Sequence, residues 1–275
     1  MMALLRMTLR ELRVMLTEAN DSGGDVHLSY SDIAACLEPS VKNVAERAGV
    51  ATFVPFKYTK KTPENVKRLG MTSKQALGTL KRDIPLPDGR VAVKADQKTF
   101  YGIVDMMARN IAGRMRRTHP DIDVVMYAAS SSEMTLWLAE VIGESLDVPV
   151  INDAVLKRTK EDYDIDEDRF KEWSLGKSQG DVDILRALLE KHIEQFKRTG
   201  TVAAAKATPF EWRQFFNMHV PGPGMGSLRG KKVLVVDDNI DKGWTFAGIE
   251  KLLAAAGVSK DDIVFAAGFD YAQRS

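Results

Sequence analysis

Cysteine is all but absent. Cys36 is the only one in 275 residues, which excludes an internal disulfide and a thiolate-rich zinc site and makes a reducing, cytoplasmic compartment the expectation. Charge of one sign is missing too. The 39 Lys and Arg against 38 Asp and Glu leave a formal +1, so no global field points to nucleic acid or a membrane surface. No apolar run is long enough to cross a bilayer, so no membrane partner is expected. The opening Met1 to Leu16 carries Arg6, Arg10, Glu11 and Arg13 at amphipathic-helix spacing, and is read as neither a signal peptide nor an anchor. There is no internal repeat and no low-complexity tract.

What is present is a hydrophobic content of 44%, enough for one large core or for a catalytic domain with a small accessory unit. From Asp96 onward helix and strand patterns alternate. Phe100, Ile103, Val104, Met107 and Ile111 recur at helical spacing, Asp123 to Ala129 reads as a buried strand, and Met134, Trp137, Leu138, Val141 and Ile142 mark the next helix. Val148 to Val155 reads as a second strand. Such β-α-β order predicts an α/β fold, a doubly wound parallel sheet flanked by helices.

Residues 157–230 interrupt the alternation with a charged, then helical segment (Val182 to Phe196) and a turn-rich Pro221 to Gly226, and are expected to be an insertion over the sheet. A strand from Val233, a helix facing inward through Phe246, Ile249, Leu253 and Ala256, a stop at Gly257 and a last strand Ile263 to Phe269 follow. Residues 1–95 are expected to form a separate, mainly helical unit and 96–275 the main domain. The turns Asp21 to Gly24 and Pro85 to Gly89 would delimit the first unit.

The most informative stretch is Val233-Leu-Val-Val-Asp-Asp-Asn-Ile-Asp-Lys-Gly-Trp-Thr245. A continuous apolar run describes a strand buried on both faces, and paired acids followed by a Gly-containing turn into a helix describe an anion-binding strand end. The stretch resembles the phosphoribosyl-diphosphate (PRPP) motif of type I phosphoribosyltransferases, with Lys242 and Trp244 departing from the Thr-Gly-Gly-Thr loop usual there and Asn239 replacing an aliphatic residue. A response-regulator receiver also ends a strand in Val-Asp-Asp-Asn, but begins with that strand and needs most of a domain after it.

The resemblance implies roles. Asp237 and Asp238 would accept hydrogen bonds from the ribose hydroxyls and take part in holding Mg2+, largely through substrate or water. Asp241, Lys242, Gly243, Trp244 and Thr245 would hold the 5-phosphate at the helix N-terminus, and Asp241 would also serve as the catalytic carboxylate, as in hypoxanthine-guanine phosphoribosyltransferases. Ala129, Ser130 and Ser131 would form the pyrophosphate loop, although serines before a helix also serve as N-caps. Lys157 and Arg158, with Lys160 nearby, would reach the pyrophosphate. The insertion would be a hood that excludes water, its His192 and His219 structural.

The implied activity is transfer of 5-phosphoribose from PRPP to a nitrogen nucleophile, a nucleobase, releasing pyrophosphate with Mg2+ as cofactor, in a homo-oligomer. The acceptor base is not legible. The second reading is a PRPP-sensing transcription regulator without turnover, because Ile33, Ala34, Leu37, Ser40 and Val44 have helix-turn-helix spacing and residues 1–95 hold 15 basic against 10 acidic residues. DNA ranks second as a partner. A PRPP synthetase ranks last, since no second copy of the fold is evident.

Overall fold

The computed structural model describes residues 26–40, 44–85, 92–130, 132–159, 163–199 and 208–270. Ser131, Lys160, the expected helix over Met1 to Leu16, the turn at Asp21 to Gly24 and most of that at Pro85 to Gly89 lie outside them.

In chain order the first part contains β1 (Val26–Leu28), α1 (Tyr30–Ala34), β2 (Leu37–Pro39), β3 (Val44–Arg47), β4 (Val50–Phe53) and β5 (Phe56–Tyr58). Then come α2 (Glu64–Arg68), α3 (Ser73–Gly78), β6 (Ile84–Pro85) and β7 (Ala92–Ala95). The middle contains α4 (Gln97–Thr118), β8 (Val124–Tyr127), α5 (Glu133–Leu146), β9 (Val150–Ile151) and β10 (Val155–Lys157). After α6 (Glu167–Ser174) and α7 (Gln179–Thr199) the chain closes with β11 (His219–Pro221), β12 (Val233–Ile240), α8 (Trp244–Ala255) and β13 (Ile263–Asp270).

Among the described residues the central sheet has eight strands, running β2-β5-β13-β12-β8-β9, with β4 also on β13 and β3 on β4. It is largely parallel: β12 pairs in parallel with β13 and β8, β8 with β9, and β13 with β4 and β5. The apolar run of β12 explains its central place, because alternate residues serve opposite faces. Val233 and Val235 join the core containing Phe246, Ile249 and Leu253 of α8. Leu234 and Val236 join the core containing Ile103 and Met107 of α4 and Leu138 and Ile142 of α5. Helices therefore cover both faces, as the β-α-β pattern predicts.

The expected division at residue 95 is not a break in the core. Strands β2, β4 and β5 extend the central sheet beyond β13, and Leu28, Ile33, Val66 and Leu77 share one core with Ile103, Met107 and Leu138. Among its described residues this first part is also strand-rich rather than mainly helical. The helix-turn-helix spacing does not survive: Ile33 and Ala34 lie in α1, but Leu37 opens strand β2, Ser40 follows it and Val44 opens strand β3. Pro39 accounts for this, since it disfavours helical backbone at the residue before it and is tolerated at the sheet's edge, where β2 lies.

The strand expected over Val148 to Val155 splits in two. Exposed Asn152 and Asp153 interrupt it, so β9 stays in the parallel sheet while β10 turns out to pair antiparallel with β11, Lys157 opposite His219. That ribbon ties together the two ends of the insertion. Beyond it α6 and α7 enclose an aromatic cluster of their own, with Tyr163 stacked on Phe216 at 4.6 Å between ring centroids and Phe170, Phe196 and Phe215 around them. Among the described residues, no helix is long and apolar enough to cross a membrane.

Candidate active site

The site follows from where strands β8 and β12 part. Their pairing ends at Val236 opposite Tyr127, and Ala128 N donates one more bond to Val236 O at 2.9 Å. Strand β12 runs on to Ile240 beside β13 alone. The chain leaves β8 through α5 toward β9 on one side, and leaves β12 through α8 toward β13 on the other. A crevice outside the strand ends is the usual ligand position in such a sheet. Here it is a cavity of about 720 Å³ lined by every residue from Asp237 to Phe246 and by Ala129, Ser130 and Ser132.

The two acids differ in their surroundings. Asp238 is buried, and its Oδ2 lies 2.6 Å from Nζ of Lys81, which projects from just beyond α3; Asn239 Nδ2 donates to its Oδ1. Asp237 is half-buried and its Oδ1 accepts from Asp238 N at 2.8 Å. Burial, then the neighbouring Asp238 charge, push the Asp237 carboxyl well above the usual carboxylate range, with Lys81 opposing them only in part. One acid of the pair thus has a cation beside it, whereas the other is held where its charge is disfavoured.

The turn Asp241 to Gly243 leads into α8. Gly243 has φ +80° and is the N-cap without any side chain capping the helix, whose first bond is Ala247 N to Gly243 O. The amides of Trp244, Thr245 and Phe246 precede that bond, and their residues line the cavity. At Gly243 the backbone lies close against the protein itself: a Cβ there would be 2.6 Å from Arg47 Cβ and 2.8 Å from Arg47 O. Glycine is therefore required both by its dihedral and by the β3–β4 turn pressed against it. Asp241 and Thr245 are half-buried, and Lys242 is exposed.

Trp244, the bulky departure in the loop, has a structural partner. The guanidinium of Arg169 on α6 sits 5.5 Å from its ring centroid. Beside it Asp166, the N-cap of α6, accepts from Lys251 Nζ of α8 at 3.0 and 3.1 Å. The loop's tryptophan is where the insertion rests on the site.

On the opposite wall Ser132 is the N-cap of α5, accepting from Met134 N at 3.3 Å, while Ser130 Oγ accepts from Ser132 N at 3.1 Å. Lys157 lines the cavity from β10; Arg158, with its amide bonded to Met218 O at 3.0 Å, is not among the lining residues. His192 packs edge-on to Tyr163 and Trp212 inside the insertion. His219 lines the cavity and is buried; burial pushes its imidazole down to about 4, only partly countered by a hydrogen bond with the Ala129 backbone.

Sequence reasoning missed Lys81, Arg82, Arg213 and Met218, all of which line the cavity. The basic excess of residues 1–95 was visible, but nothing in it singled out two cations that reach a strand end so distant along the chain. Among the described residues no group of three or more His, Cys, Asp or Glu could hold a metal ion. The donor set fits a hard cation only if the ligand supplies most of its oxygens, which is how Mg2+ is commonly held.

No family model matches the chain, and no curated protein matches it. Among solved structures it is similar to the APRTase of Giardia lamblia complexed with 9-deazaadenine, at 13% identity and TM-score 0.37 over 74% of this chain and 98% of that one. It is also similar to the adenine phosphoribosyltransferase of Trypanosoma brucei in complex with AMP, pyrophosphate and ribose-5-phosphate, at 12% identity and TM-score 0.35 over 78% and 83%. Likeness at this level carries no argument about chemistry, which is argued from the residues alone.

Proposed function

We propose that the protein is a phosphoribosyltransferase that moves 5-phosphoribose from PRPP to a nitrogen of a nucleobase and releases pyrophosphate. One observation carries the reading: the acid pair in the C-terminal half of β12 and the uncapped N-terminus of α8 open into the same cavity, at the crevice between strands whose connections diverge. Amide donors and the helix dipole favour the 5-phosphate at Asp241 to Thr245. Asp237 and Asp238 are acceptors for ribose hydroxyls, Asp238 after yielding part of its bond to Lys81. Ala129 and Ser130, with Lys157, face the leaving pyrophosphate, and the cavity-lining cations Lys81, Arg82 and Arg213 supplement them.

In the reaction the bond from the anomeric carbon to pyrophosphate oxygen breaks as a bond to the base nitrogen forms. Asp241 takes the proton that the base gives up, and the protein otherwise acts by positioning. Mg2+, held by Asp237 together with substrate oxygens, would neutralise the departing pyrophosphate. The regulator reading loses its motif with the strands at Leu37 and Val44. Pyrophosphate release is to be measured with PRPP, Mg2+ and individual purines, pyrimidines and pyridines. One base should support turnover, and Asp238→Asn should abolish it; unchanged PRPP affinity and rate in that variant would overturn the assignment.

A further inference from the structure

Helix α7 has two faces. Leu189 and Phe196 are buried in the insertion's aromatic cluster, but Ile184 and Leu188 are 63% and 45% exposed on the far side. Single exposed aliphatics are ordinary on a protein surface. These two are part of a pattern, because Asp181, Ile184, Leu188 and Lys191 follow one another at intervals of three, four and three and are all exposed. That is the spacing of a coiled-coil seam.

We infer that this stripe docks a second copy of the chain, the two α7 helices packing antiparallel about a twofold axis. The stripe is complementary to itself in that orientation only. With the axis at position 186, Ile184 of one copy meets Leu188 of the other, and Asp181 meets Lys191, so two apolar layers are closed at both ends by opposite charges. A parallel pairing in register would set Asp181 against Asp181 and Lys191 against Lys191, which is repulsive. Ala187, exposed at the edge of the stripe, is small enough for the helices to approach closely. A twofold contact needs such a self-complementary patch, in which each residue meets its counterpart's partner. The helix of 21 residues spans about 30 Å, so the contact is small and the association weak and concentration-dependent.

Sedimentation velocity of the whole chain over a concentration series, without substrate, tests this apart from the proposed activity. The mass should rise from 30.5 kDa toward twice that value. Ile184→Asp with Leu188→Asp should hold it at the monomer with unchanged helix content. Asp181→Lys alone should weaken association at least tenfold, and Asp181→Lys combined with Lys191→Asp should restore it. A wild-type chain that stays monomeric throughout, a dimer indifferent to Ile184→Asp, or a charge exchange without recovery would each overturn the proposal.

Discussion

Asp237 and Asp238 are adjacent in sequence yet expected to respond to the same substitution with opposite signs. Asp238 is buried against Lys81, so Asp238→Asn removes an ion pair and should cost about 2 kcal/mol. Asp237 carries a charge that burial and its neighbour disfavour, so Asp237→Asn should stabilise the fold while impairing ligand binding. Urea denaturation of the two variants checks the contrast; equal shifts would refute the asymmetry. His219 adds a pH dependence. Its folded value of about 4 lies below the ordinary 6.5, so the unfolded chain takes up the proton first as the solution is acidified. The stability it contributes is present above pH 6.5 and lost as pH falls toward 4, roughly 3 kcal/mol over the whole window. His219→Gln should flatten the difference between unfolding curves measured near neutrality and in mild acid, and unaltered pH dependence would contradict the role.

Among elements, α8 links three parts of the molecule. Its N-terminus opens on the cavity, its Phe246, Ile249 and Leu253 pack under the sheet, and its Lys251 meets Asp166 of the insertion. The inward face was legible because a 3.6-residue period survives whatever the helix packs on. The partner of Lys251 was not, because surface cations carry no local sign of what meets them. Asp166 caps α6, pairs with Arg169 at 3.5 Å and accepts from Lys251, so Asp166→Ala should cost about 2 kcal/mol. It should also speed amide exchange in α6 without affecting β12. Exchange in α6 equal to that of the parent protein would mean that the insertion is held by its aromatic cluster alone.

For the whole molecule, the question is how independent the insertion is. Its rings form a cluster distinct from the two cores of the sheet, and the β10–β11 ribbon brings its ends together. Replacing residues 160–216 by a short Gly-Ser turn should therefore leave a chain that still unfolds cooperatively by circular dichroism, with weaker phosphosugar binding because Arg213 and Arg169 are gone. Loss of cooperative unfolding would show that the insertion completes the core. The strand Val233 to Val236, its acids, the glycine turn and the following helix were all readable from the residues, since burial on both faces demands a continuous apolar run and a positive φ demands glycine. The sequence alone determined that strand end and its anion-ready helix. Tertiary structure decided that β2, β3, β4 and β5 would widen the same sheet, and that Lys81 would reach Asp238 across 157 positions of chain. Neighbouring residues dictate dihedrals and burial patterns, whereas which distant charge reaches a site depends on how helices and strands close on one another, and no local pattern encodes that.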